Sequence, residues 1–379
     1  MGSEVEATFT AGDHAFMSRA LQLARRGLYT THPNPRVGCV IVRGGEIVGE
    51  GWHRCAGEPH AEIHALREAG ERAQGATVYV TLEPCSHHGR TPPCSDTLIT
   101  AGVRRVIAAM RDPNPKVSGR GLARLAAAGI ETACGLLEAE ARTLNAGFVS
   151  RMEKGRPWVR IKTAMSLDGR TAMASGESQW ITGKAARADG QRWRARADAV
   201  LTGSGTVLAD DPALNVRLSA ESLGVAGEVC QPLRVVLDSR WRTPPTARLL
   251  AAPGSVLIFG GAEEGRRRAA LAAAGAQVET VPATPAGLDL RAVLAALAER
   301  EINEIHVEAG ATLSGALIAA GLADELLLYL APALLGDAAR GAFVLPGLSH
   351  LTERVKLKID KIRRIGDDYR LVAGIDRNS

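Results

Sequence analysis

Two thiols and an imidazole that could bind a metal lie in two short segments of the chain. The first segment reads E-P-H-A-E-I-H at residues 58–64, and the second reads T-L-E-P-C-S-H-H-G-R-T-P-P-C at residues 81–94. Zinc prefers thiolate and imidazole ligands, and a catalytic site uses three of them so that water takes the fourth position. His60, Cys85 and Cys94 would supply such a set.

A carboxylate that is not itself a ligand completes this chemistry, because protons must move between the activated water and a leaving group. Glu62 has that position. Zinc nucleobase deaminases carry H-x-E followed by P-C-x-x-C, and H-A-E at 60–62 and P-C at 84–85 match the first two parts. The third part differs, since the cysteine spacing is C-x8-C and His88 holds the C-x-x-C position. From spacing alone, the third ligand is either Cys94 on a longer loop or His88.

Other roles for these residues are weaker. Buried cysteines often act as small hydrophobes, but the segment between Cys85 and Cys94 is polar and has no apolar periodicity. A disulfide between them is sterically conceivable; however, no charged and apolar leader opens the chain, so we expect a cytoplasmic protein with reduced thiols. A metalloprotease H-E-x-x-H, with His60 and His64 as the metal pair, is disfavoured because Ala61 follows the first histidine.

Composition narrows the classes of function. The 379 residues suffice for two or three domains with their own cores. The net charge of +5 is spread along an arginine-rich sequence, and aromatic residues, which stack on unpaired bases, make up only 4%. No apolar run approaches the roughly 18 residues of a membrane helix. We therefore expect a small-molecule substrate, with neither nucleic acid nor a membrane as a partner.

Alternating strand and helix patterns predict an α/β architecture. The strand at 77–82 should deliver the P-C pair at its carboxyl end, where open α/β sheets place their ligands. The predicted elements of the N-terminal part are a helix at 14–28, a hairpin of 37–42 and 46–52, a helix at 60–73, strands at 77–82 and 104–109, a helix-strand pair within 122–132 and a connecting helix at 136–151.

The strand pattern restarts after a linker candidate at 153–157, so we divide the chain into domains at 1–153 and 154–379. The later strands include two that are typical of an antiparallel edge. The predicted elements of the second part are strands at 158–163, 199–202, 234–238, 256–259, 277–281 and 304–308, helices at 185–197 and 290–300, and late strands at 325–330, 355–362 and 369–375.

A possible phosphate site follows one of these strands. Residues 305–316 run from a strand through a glycine turn into a helix start, where free backbone N–H groups and the helix dipole favour phosphate. The G-x-G-x-x-G fingerprint is absent, because Leu208 holds its third glycine position after G-S-G at 203–205. Such turns are more often plain turn geometry. Arg194 and Arg217 could clamp a phosphate, or they are ordinary surface arginines.

Seven phrases follow one another along nearly the whole chain: T-H-P-N-P-R-V-G-C-V-I-V (31–42), A-G-E-P-H-A-E (56–62), T-L-E-P-C-S-H-H-G-R-T-P-P-C (81–94), S-L-D-G-R-T-A (166–172), S-G-E-S-Q-W-I-T (175–182), V-L-A-D-D-P-x-L (207–214) and V-E-A-G (307–310). With them the chain resembles the RibD family of bifunctional riboflavin-biosynthesis enzymes. The resemblance implies an α/β fold with an N-terminal cytidine-deaminase-like domain and a C-terminal dihydrofolate-reductase-like domain. In that family the first domain deaminates 2,5-diamino-6-ribosylamino-pyrimidinone 5′-phosphate, and the second reduces the ribosyl group to ribityl with NADPH.

The resemblance also implies roles for single residues. The family's own loop is C-x8-C, so His60, Cys85 and Cys94 would bind Zn2+ and Glu62 would carry protons. Residues that match the pyrimidine site are Asn34, His87 or His88, and Arg90. Residues that match NADPH contacts are Ala164, Trp180, Thr206, Asp210, Ser239, Gly310, Ala311, Thr312, Leu313, Ser314, Gly315 and Ala316. Residues that match substrate contacts of the reductase are Lys162, Ser178, Arg194, Leu214, Arg217 and Glu308. We expect Lys162 and Glu308 near the reacting sugar, and a homo-oligomer.

Three rival hypotheses predict other features. A nucleic-acid base deaminase needs a basic channel with aromatic side chains, which this sequence does not show. A redox-sensing zinc protein would need neither Glu62 nor a phosphate site. A chain with a decayed reductase half conflicts with the motifs at 166–182 and 207–214.

Overall fold

The structure is a computed structural model of the chain and describes residues 8–86, 93–115, 117–262, 265–285 and 287–376. Contacts divide the chain into two compact units, Met1–Gly155 and Arg156–Ser379. Every helix of the described ranges is too short or too polar to cross a bilayer.

The N-terminal unit is a sheet with helices on both faces. Its strands are β1 (Gly38–Arg43), β2 (Glu46–Trp52), β3 (Thr77–Val80), β4 (Arg105–Ala108) and β5 (Glu131–Cys134). Its helices are α1 (Ala11–Ala24), α2 (Ala61–Ala69), α3 (Cys94–Thr100), α4 (Arg120–Ala127), α5 (Glu138–Leu144) and α6 (Ala146–Lys154), with 3-10 turns at Arg25–Gly27 and Gly70–Ala73. The strand order is β2-β1-β3-β4-β5; β1 is antiparallel to β2 and β3, and β3, β4 and β5 are parallel.

Alternation along the strands builds two cores in this unit. Val40 and Val42 of β1 pack with α1 on one face, whereas Cys39 and Ile41 pack with α2 and α4 on the other. A methyl group on Gly51 of β2 would lie 2.2 Å from the backbone oxygen of Ala61. The absence of a side chain there lets α2 approach the sheet, which fixes the start of that helix.

The C-terminal unit contains the larger sheet. Its strands are β6 (Trp158–Ser166), β7 (Arg170–Ala172), β8 (Ala199–Gly203), β9 (Leu233–Leu237), β10 (Val256–Gly260), β11 (Gln277–Thr280), β12 (Ala283–Thr284), β13 (Gly287–Leu288), β14 (Glu304–Val307), β15 (Glu325–Ala331), β16 (Arg340–Gly341), β17 (Leu357–Ile365) and β18 (Asp368–Ile375). Its helices are α7 (Lys184–Arg196), α8 (Ser204–Asp210), α9 (Ala220–Leu223), α10 (Arg248–Ala251), α11 (Gly265–Ala273), α12 (Leu290–Glu299) and α13 (Ala311–Ala319), with a 3-10 turn at Leu351–Glu353.

Seven neighbouring strands of this sheet are parallel. The order is β11-β10-β9-β8-β14-β6-β15-β18-β17, and β18 pairs antiparallel with both β15 and β17. The antiparallel edge predicted from the sequence is thus confirmed. Strands β8 and β10 carry continuous apolar runs because both of their faces are covered.

The connecting helix predicted at 136–151 is wrong as a single element. It is divided into α5 and α6 at Asn145. The buried side-chain amide of Asn145 accepts from the Arg36 N–H at 2.8 Å and donates to the Arg36 carbonyl at 2.9 Å. These two bonds hold Asn145 in place and tie this junction to the segment that carries Asn34. The first helix also begins earlier than predicted, because Thr10 and Asp13 form a capping box before it.

Candidate functional site

His60, Cys85 and Cys94 come together in the N-terminal unit, with their ligand atoms within 4.8 Å of one another. Nδ1 of His60 lies 3.3 Å from Sγ of Cys94 and 3.6 Å from Sγ of Cys85. Ligand bonds of about 2.0 Å to nitrogen and 2.3 Å to sulfur at tetrahedral angles separate these atoms by about 3.5 Å. The three side chains therefore fit one zinc ion.

Two of these ligands lie at helix starts, and the third lies after a strand. His60 is the N-cap of α2, with extended backbone at φ −71° and ψ 166°, and Cys94 is the first residue of α3. Cys85 lies on the segment after β3, where the Cys94 N–H donates to its Sγ at 3.3 Å and the Ser95 N–H donates to its carbonyl at 3.2 Å. N–H donors and helix N-termini favour negative charge on sulfur.

The electrostatics of the cluster agree with this geometry. The hydrogen bond from Cys94 is the largest cause that lowers the pKa of Cys85 to about 4. Donation of that bond, followed by burial, raises the pKa of Cys94. The hydrogen bond with Cys85 raises the pKa of His60 to about 9. Negative charge is thus stabilised on Sγ of Cys85, whereas Cys94 holds its proton as the donor to Cys85 and would release it on binding a cation.

Glu62 lies in the first turn of α2, beside these three residues. Its side chain is 3% exposed, and burial raises the pKa of its carboxyl group. It also contacts the thiol of Cys94. A buried carboxyl group of raised pKa next to a metal-ligand set is suited to take up and release a proton.

Asn34 faces a histidine that the sequence analysis did not single out. His53 is 2% exposed, and its ring meets the ring of His60 edge to face with centroids 5.5 Å apart. Nε2 of His53 lies 3.0 Å from Nδ2 of Asn34, and Nδ1 lies 3.3 Å from the Pro59 carbonyl. This pattern suits a neutral ring that accepts at Nε2 and donates from Nδ1, and burial lowers the pKa of His53 accordingly. The only sequence signal was a histidine between a glycine-rich strand and the E-P-H motif.

The other residues predicted for the pyrimidine site, His87, His88 and Arg90, lie outside the described residues. The structure brings Cys94 into the ligand cluster, and the alternative ligand His88 stays untested.

In the C-terminal unit, the predicted NADPH contacts follow the carboxyl ends of parallel strands. Because β9, β8, β14 and β6 are parallel neighbours, these ends share one edge of the sheet. The positions are Ala164 on β6, Thr206 and Asp210 on α8 after β8, Ser239 after β9, and the segment from Gly310 to Ala316 after β14. Ser178 and Trp180 lie between β7 and α7, where Trp180 is 67% exposed and packs against the guanidinium of Arg187 at 4.4 Å.

The turn before α13 begins a helix at the carboxyl end of β14, where the sequence predicts a phosphate site. Gly310 is the N-cap, with φ −69° and ψ 170°, and the space beside its Cα is open. A methyl group on Gly203 would lie 3.4 Å from Cδ2 of Leu313, so the start of α13 approaches the end of β8. Gly315 packs so closely on the Val344 carbonyl that a methyl group would lie 1.9 Å from its oxygen. The unpaired N–H groups of the helix start therefore lie at the strand edge.

Glu308 is the centre of the charged residues predicted for the substrate. Arg194 donates to its carboxylate from Nε at 2.7 Å and from Nη2 at 2.9 Å, and donates from Nη1 to the Asn215 carbonyl at 2.7 Å. Burial opposes the ionisation of Glu308, but Arg194 and then Lys162 outweigh it and hold its pKa below the usual value. Burial, followed by repulsion from Arg194, lowers the pKa of Arg217. Arg217 therefore lies close enough to Arg194 for the two charges to interact. Leu214 is buried nearby in the chain with φ 53°.

His306 lies beneath this group and was not predicted to have a role. Its ring is fully buried, and neither nitrogen has a hydrogen-bond partner among the described residues. Nε2 is 3.5 Å from Oε1 of Glu308. Burial lowers the pKa of His306 to about 3, so the ring is neutral at physiological pH.

Comparisons with known proteins agree with both units. A model of the cytidine and deoxycytidylate deaminase zinc-binding region matches residues 10–110, and a model of the RibD C-terminal domain matches residues 157–371. The riboflavin biosynthesis protein RibD of Escherichia coli K12 is 54% identical over 361 residues, which cover 94% of this chain and 97% of that protein. The chain belongs to the RibD family.

Solved RibD structures have the same fold. The RibD structure of Acinetobacter baumannii is 46% identical, with a TM-score of 0.87 over 97% of this chain and 99% of that chain. The deaminase/reductase of Thermotoga maritima is 34% identical, with a TM-score of 0.83 over 96% and 99%. This RibD family member is a bifunctional enzyme of riboflavin biosynthesis with a zinc deaminase domain and a reductase domain. The predicted fold class is thereby confirmed.

Proposed function

We propose that residues 1–153 deaminate 2,5-diamino-6-ribosylamino-4(3H)-pyrimidinone 5′-phosphate by hydrolysis, and that residues 154–379 then reduce the ribosyl group to ribityl with NADPH. The product is 5-amino-6-(5-phosphoribitylamino)uracil. The observation that carries this proposal is the ligand cluster within 4.8 Å beside a buried carboxyl group. The Thermotoga maritima relative is described as a diaminohydroxyphosphoribosylaminopyrimidine deaminase and 5-amino-6-(5-phosphoribosylamino)uracil reductase.

His60, Cys85 and Cys94 would hold Zn2+ through one nitrogen and two sulfurs. This donor set suits zinc in its three-ligand catalytic form. Zinc held in this way supplies a Lewis acid that activates water for attack on an electrophilic carbon. The protein itself holds the ligands in place, since His60 and Cys94 each lie at a helix start.

Glu62 is the proton carrier of the deaminase. Its Oε atoms accept a proton from water and donate it to the departing amine, which must leave as ammonia rather than as an amide anion. Burial supports this role, because it raises the pKa of Glu62 and so makes its carboxylate a better proton acceptor. Asn34, oriented by His53 at 3.0 Å, contacts the pyrimidine. His87 or His88, and Arg90, are proposed for the same site from the family motif.

The reductase site lies at the carboxyl edge of the larger sheet. We assign NADPH to the strand-end residues given above, to Trp180, and to the N–H groups of Gly310–Ala316, which suit its pyrophosphate. NADPH supplies a hydride to the open-chain aldehyde of the sugar. Lys162, Arg194, Arg217 and Glu308 hold and orient the phosphorylated sugar, together with Ser178 and Leu214. Lys162 is a candidate proton source, because its ammonium group lies close enough to Glu308 to lower the pKa of that carboxyl group.

Assembly and location complete the proposal. We expect a homo-oligomer, since the edge strand β17 exposes Leu357, Ile359 and Ile362 by 43%, 55% and 57%. We place the enzyme in the cytoplasm, where the zinc-binding thiols stay reduced. The partner is a phosphorylated aminopyrimidine, and no nucleic acid is involved.

Mass spectrometry of the product made by the purified full chain tests the function. With zinc alone, the substrate should exchange one amine for an oxo group. The gain of two hydrogens should follow only when NADPH is added. A substrate that returns unchanged from zinc-loaded protein would refute the proposed deamination, and reduction without prior deamination would refute the order.

A further inference from the structure

The buried carboxylate of Glu83 lies two residues before the proposed ligand Cys85. Its side chain is 3% exposed, and no basic side chain of the described residues forms an ion pair with it. Four backbone N–H groups of the described residues donate to it instead. Oε2 accepts from Asp112 at 3.1 Å and Gly119 at 2.9 Å, and Oε1 accepts from Gly121 at 2.8 Å and Leu122 at 3.2 Å.

Two of these bonds cap helix α4 from outside the helix. Its N-cap, Gly119, has φ 78° and offers no side chain as a cap. The N–H groups of Gly121 and Leu122 belong to the first turn and have no acceptor within the helix. The Glu83 carboxylate satisfies both, and its negative charge faces the positive end of the helix dipole.

The backbone next to Glu83 is fixed from two further directions. The Glu83 N–H donates to the Met110 carbonyl at 3.0 Å. A methyl group on Gly121 would lie 1.9 Å from the Pro84 carbonyl oxygen, so the start of α4 is packed directly on Pro84. Rotation or displacement of Pro84 is therefore restricted by α4 itself.

Cys85 continues from this anchored segment into the ligand cluster. Its carbonyl accepts from the Ser95 N–H at 3.2 Å, and its Sγ accepts from the Cys94 N–H at 3.3 Å. The start of α4 is thus connected through Glu83 and Pro84 to Cys85, and through Cys85 to Cys94.

We infer that Glu83 is a positioning residue that sets Sγ of Cys85 for zinc by joining the Pro84-Cys85 segment to the start of α4. The inference rests on the proposed zinc deaminase function. A carboxylate is required because all four partners are donors. Glutamine of the same shape would direct an NH2 group at two N–H groups, and both would lose their acceptor.

The test compares the full-length protein with Glu83→Gln and with the matched control Glu131→Gln. Glu131 lies on β5 of the same unit, and its side chain is 58% exposed. Zinc affinity is measured by competition with a chromophoric chelator, at a temperature where circular dichroism shows each protein folded. We expect Glu83→Gln to bind zinc about 10- to 100-fold more weakly, as for groups that orient metal ligands. Glu131→Gln should match the wild type, and reduction of the deaminated intermediate should be unchanged in both variants.

The outcomes separate this inference from the proposed function. A wild-type protein that binds no zinc would refute the proposed function itself. Wild-type zinc binding together with unchanged affinity in folded Glu83→Gln would overturn only the inference, and a lower melting temperature alone would then assign Glu83 to helix capping.

Amide exchange in the wild type gives an answer that does not depend on whether the variant folds. Because linkage is reciprocal, zinc should slow exchange at Gly119, Gly121 and Leu122. We expect at least a tenfold slowing relative to the chelator-treated protein. Equal exchange with and without zinc would overturn the inference, since the start of α4 would then be uncoupled from Cys85.

Discussion

The guanidinium of Arg194 donates two parallel hydrogen bonds to the carboxylate of Glu308, from Nε at 2.7 Å and from Nη2 at 2.9 Å. The sequence predicted both residues as substrate contacts, and the structure pairs them with each other. A bidentate pair of this kind fixes the orientation of both side chains. Glu308 is thereby held as a carboxylate near Lys162, and we propose that it accepts hydrogen bonds from sugar hydroxyl groups.

Arg194→Lys tests the importance of that geometry. Lysine keeps the charge but offers a single rotating ammonium in place of the planar fork. We expect kcat/KM of the reductase to fall about 10- to 100-fold, which corresponds to the loss of one charged hydrogen bond. The deaminase rate of the same preparation should not change. Arg192→Lys, an exposed position on the same helix, is the matched control; equal effects of the two substitutions would contradict a role for the fork.

The identity of the third zinc ligand can be decided by metal analysis. Cys94→Ser should lower bound zinc to well below one equivalent, because a neutral hydroxyl group is a poor zinc ligand. His88→Ala should keep the full equivalent. Cys55→Ser serves as the control, since Cys55 is an exposed free thiol outside the cluster. If His88→Ala loses zinc and Cys94→Ser retains it, the ligand must be reassigned to His88.

The stability of the C-terminal unit should depend on His306 in acid. Burial is the main cause that lowers the pKa of His306 to about 3. The negative charge of Glu308 raises this pKa, whereas the positive charges of Arg160, Arg194 and Lys162 lower it further. An unfolded histidine titrates near pH 6.5. Between these values the unfolded chain binds a proton that the folded chain does not, so stability falls as the pH falls. As the pH falls from 7 to 5, this residue should lower the free energy of unfolding by about 2 kcal/mol.

His306→Phe should remove this loss, because phenylalanine fills the same space without ring nitrogens. Urea unfolding at pH 7 and pH 5, followed by tryptophan fluorescence, measures it; Trp158, Trp180, Trp193 and Trp241 all lie in this unit. His350→Gln, at an exposed position, should retain the wild-type dependence on pH. A His306→Phe protein that loses as much stability in acid as the wild type would show that other groups cause the effect.

The sequence predicted the elements that have a strong pattern of their own. The apolar runs of β8 (Ala199–Gly203) and β10 (Val256–Gly260) were found because strands buried on both faces carry continuous apolar residues. Strands β6, β9 and β14 were found although Arg160, Arg234 and His306 interrupt their apolar residues. Helices α3 and α8 were not predicted, because each is only seven residues long and follows a polar or glycine-containing loop. The division between α5 and α6 was missed because Asn145 pairs with Arg36, more than a hundred positions away.

The candidate sites show the same limit. Motif spacing predicted His60 and Cys85 as ligands but left Cys94 and His88 as alternatives for the third. The resemblance to the RibD family implied Cys94, and the structure brings Cys94 to the other two ligands. The role of Glu83 could not be predicted, because its hydrogen-bond donors at the start of α4 are backbone N–H groups, which no residue type in the sequence marks. His53 was likewise hidden, because only the fold brings it against Asn34 and His60.

Glu62→Gln separates metal binding from proton transfer in the deaminase. The amide keeps the size of the side chain and leaves the three ligands intact, so zinc content should stay at the wild-type level. It cannot carry a proton, so kcat for deamination should fall by about 10²- to 10⁴-fold, the usual contribution of a general acid-base. Reduction of the already deaminated intermediate should continue at the wild-type rate, which stopped-flow measurement of NADPH oxidation would detect.

Glu71→Gln is the matched control for this variant, because Glu71 is exposed just after the same helix. It should leave zinc content and both rates unchanged. Loss of zinc in Glu62→Gln would show that Glu62 supports the ligands rather than moves protons. Loss of both activities with zinc retained would instead contradict two independent sites, because Glu62 lies in the N-terminal unit and the proposed NADPH contacts lie in the other.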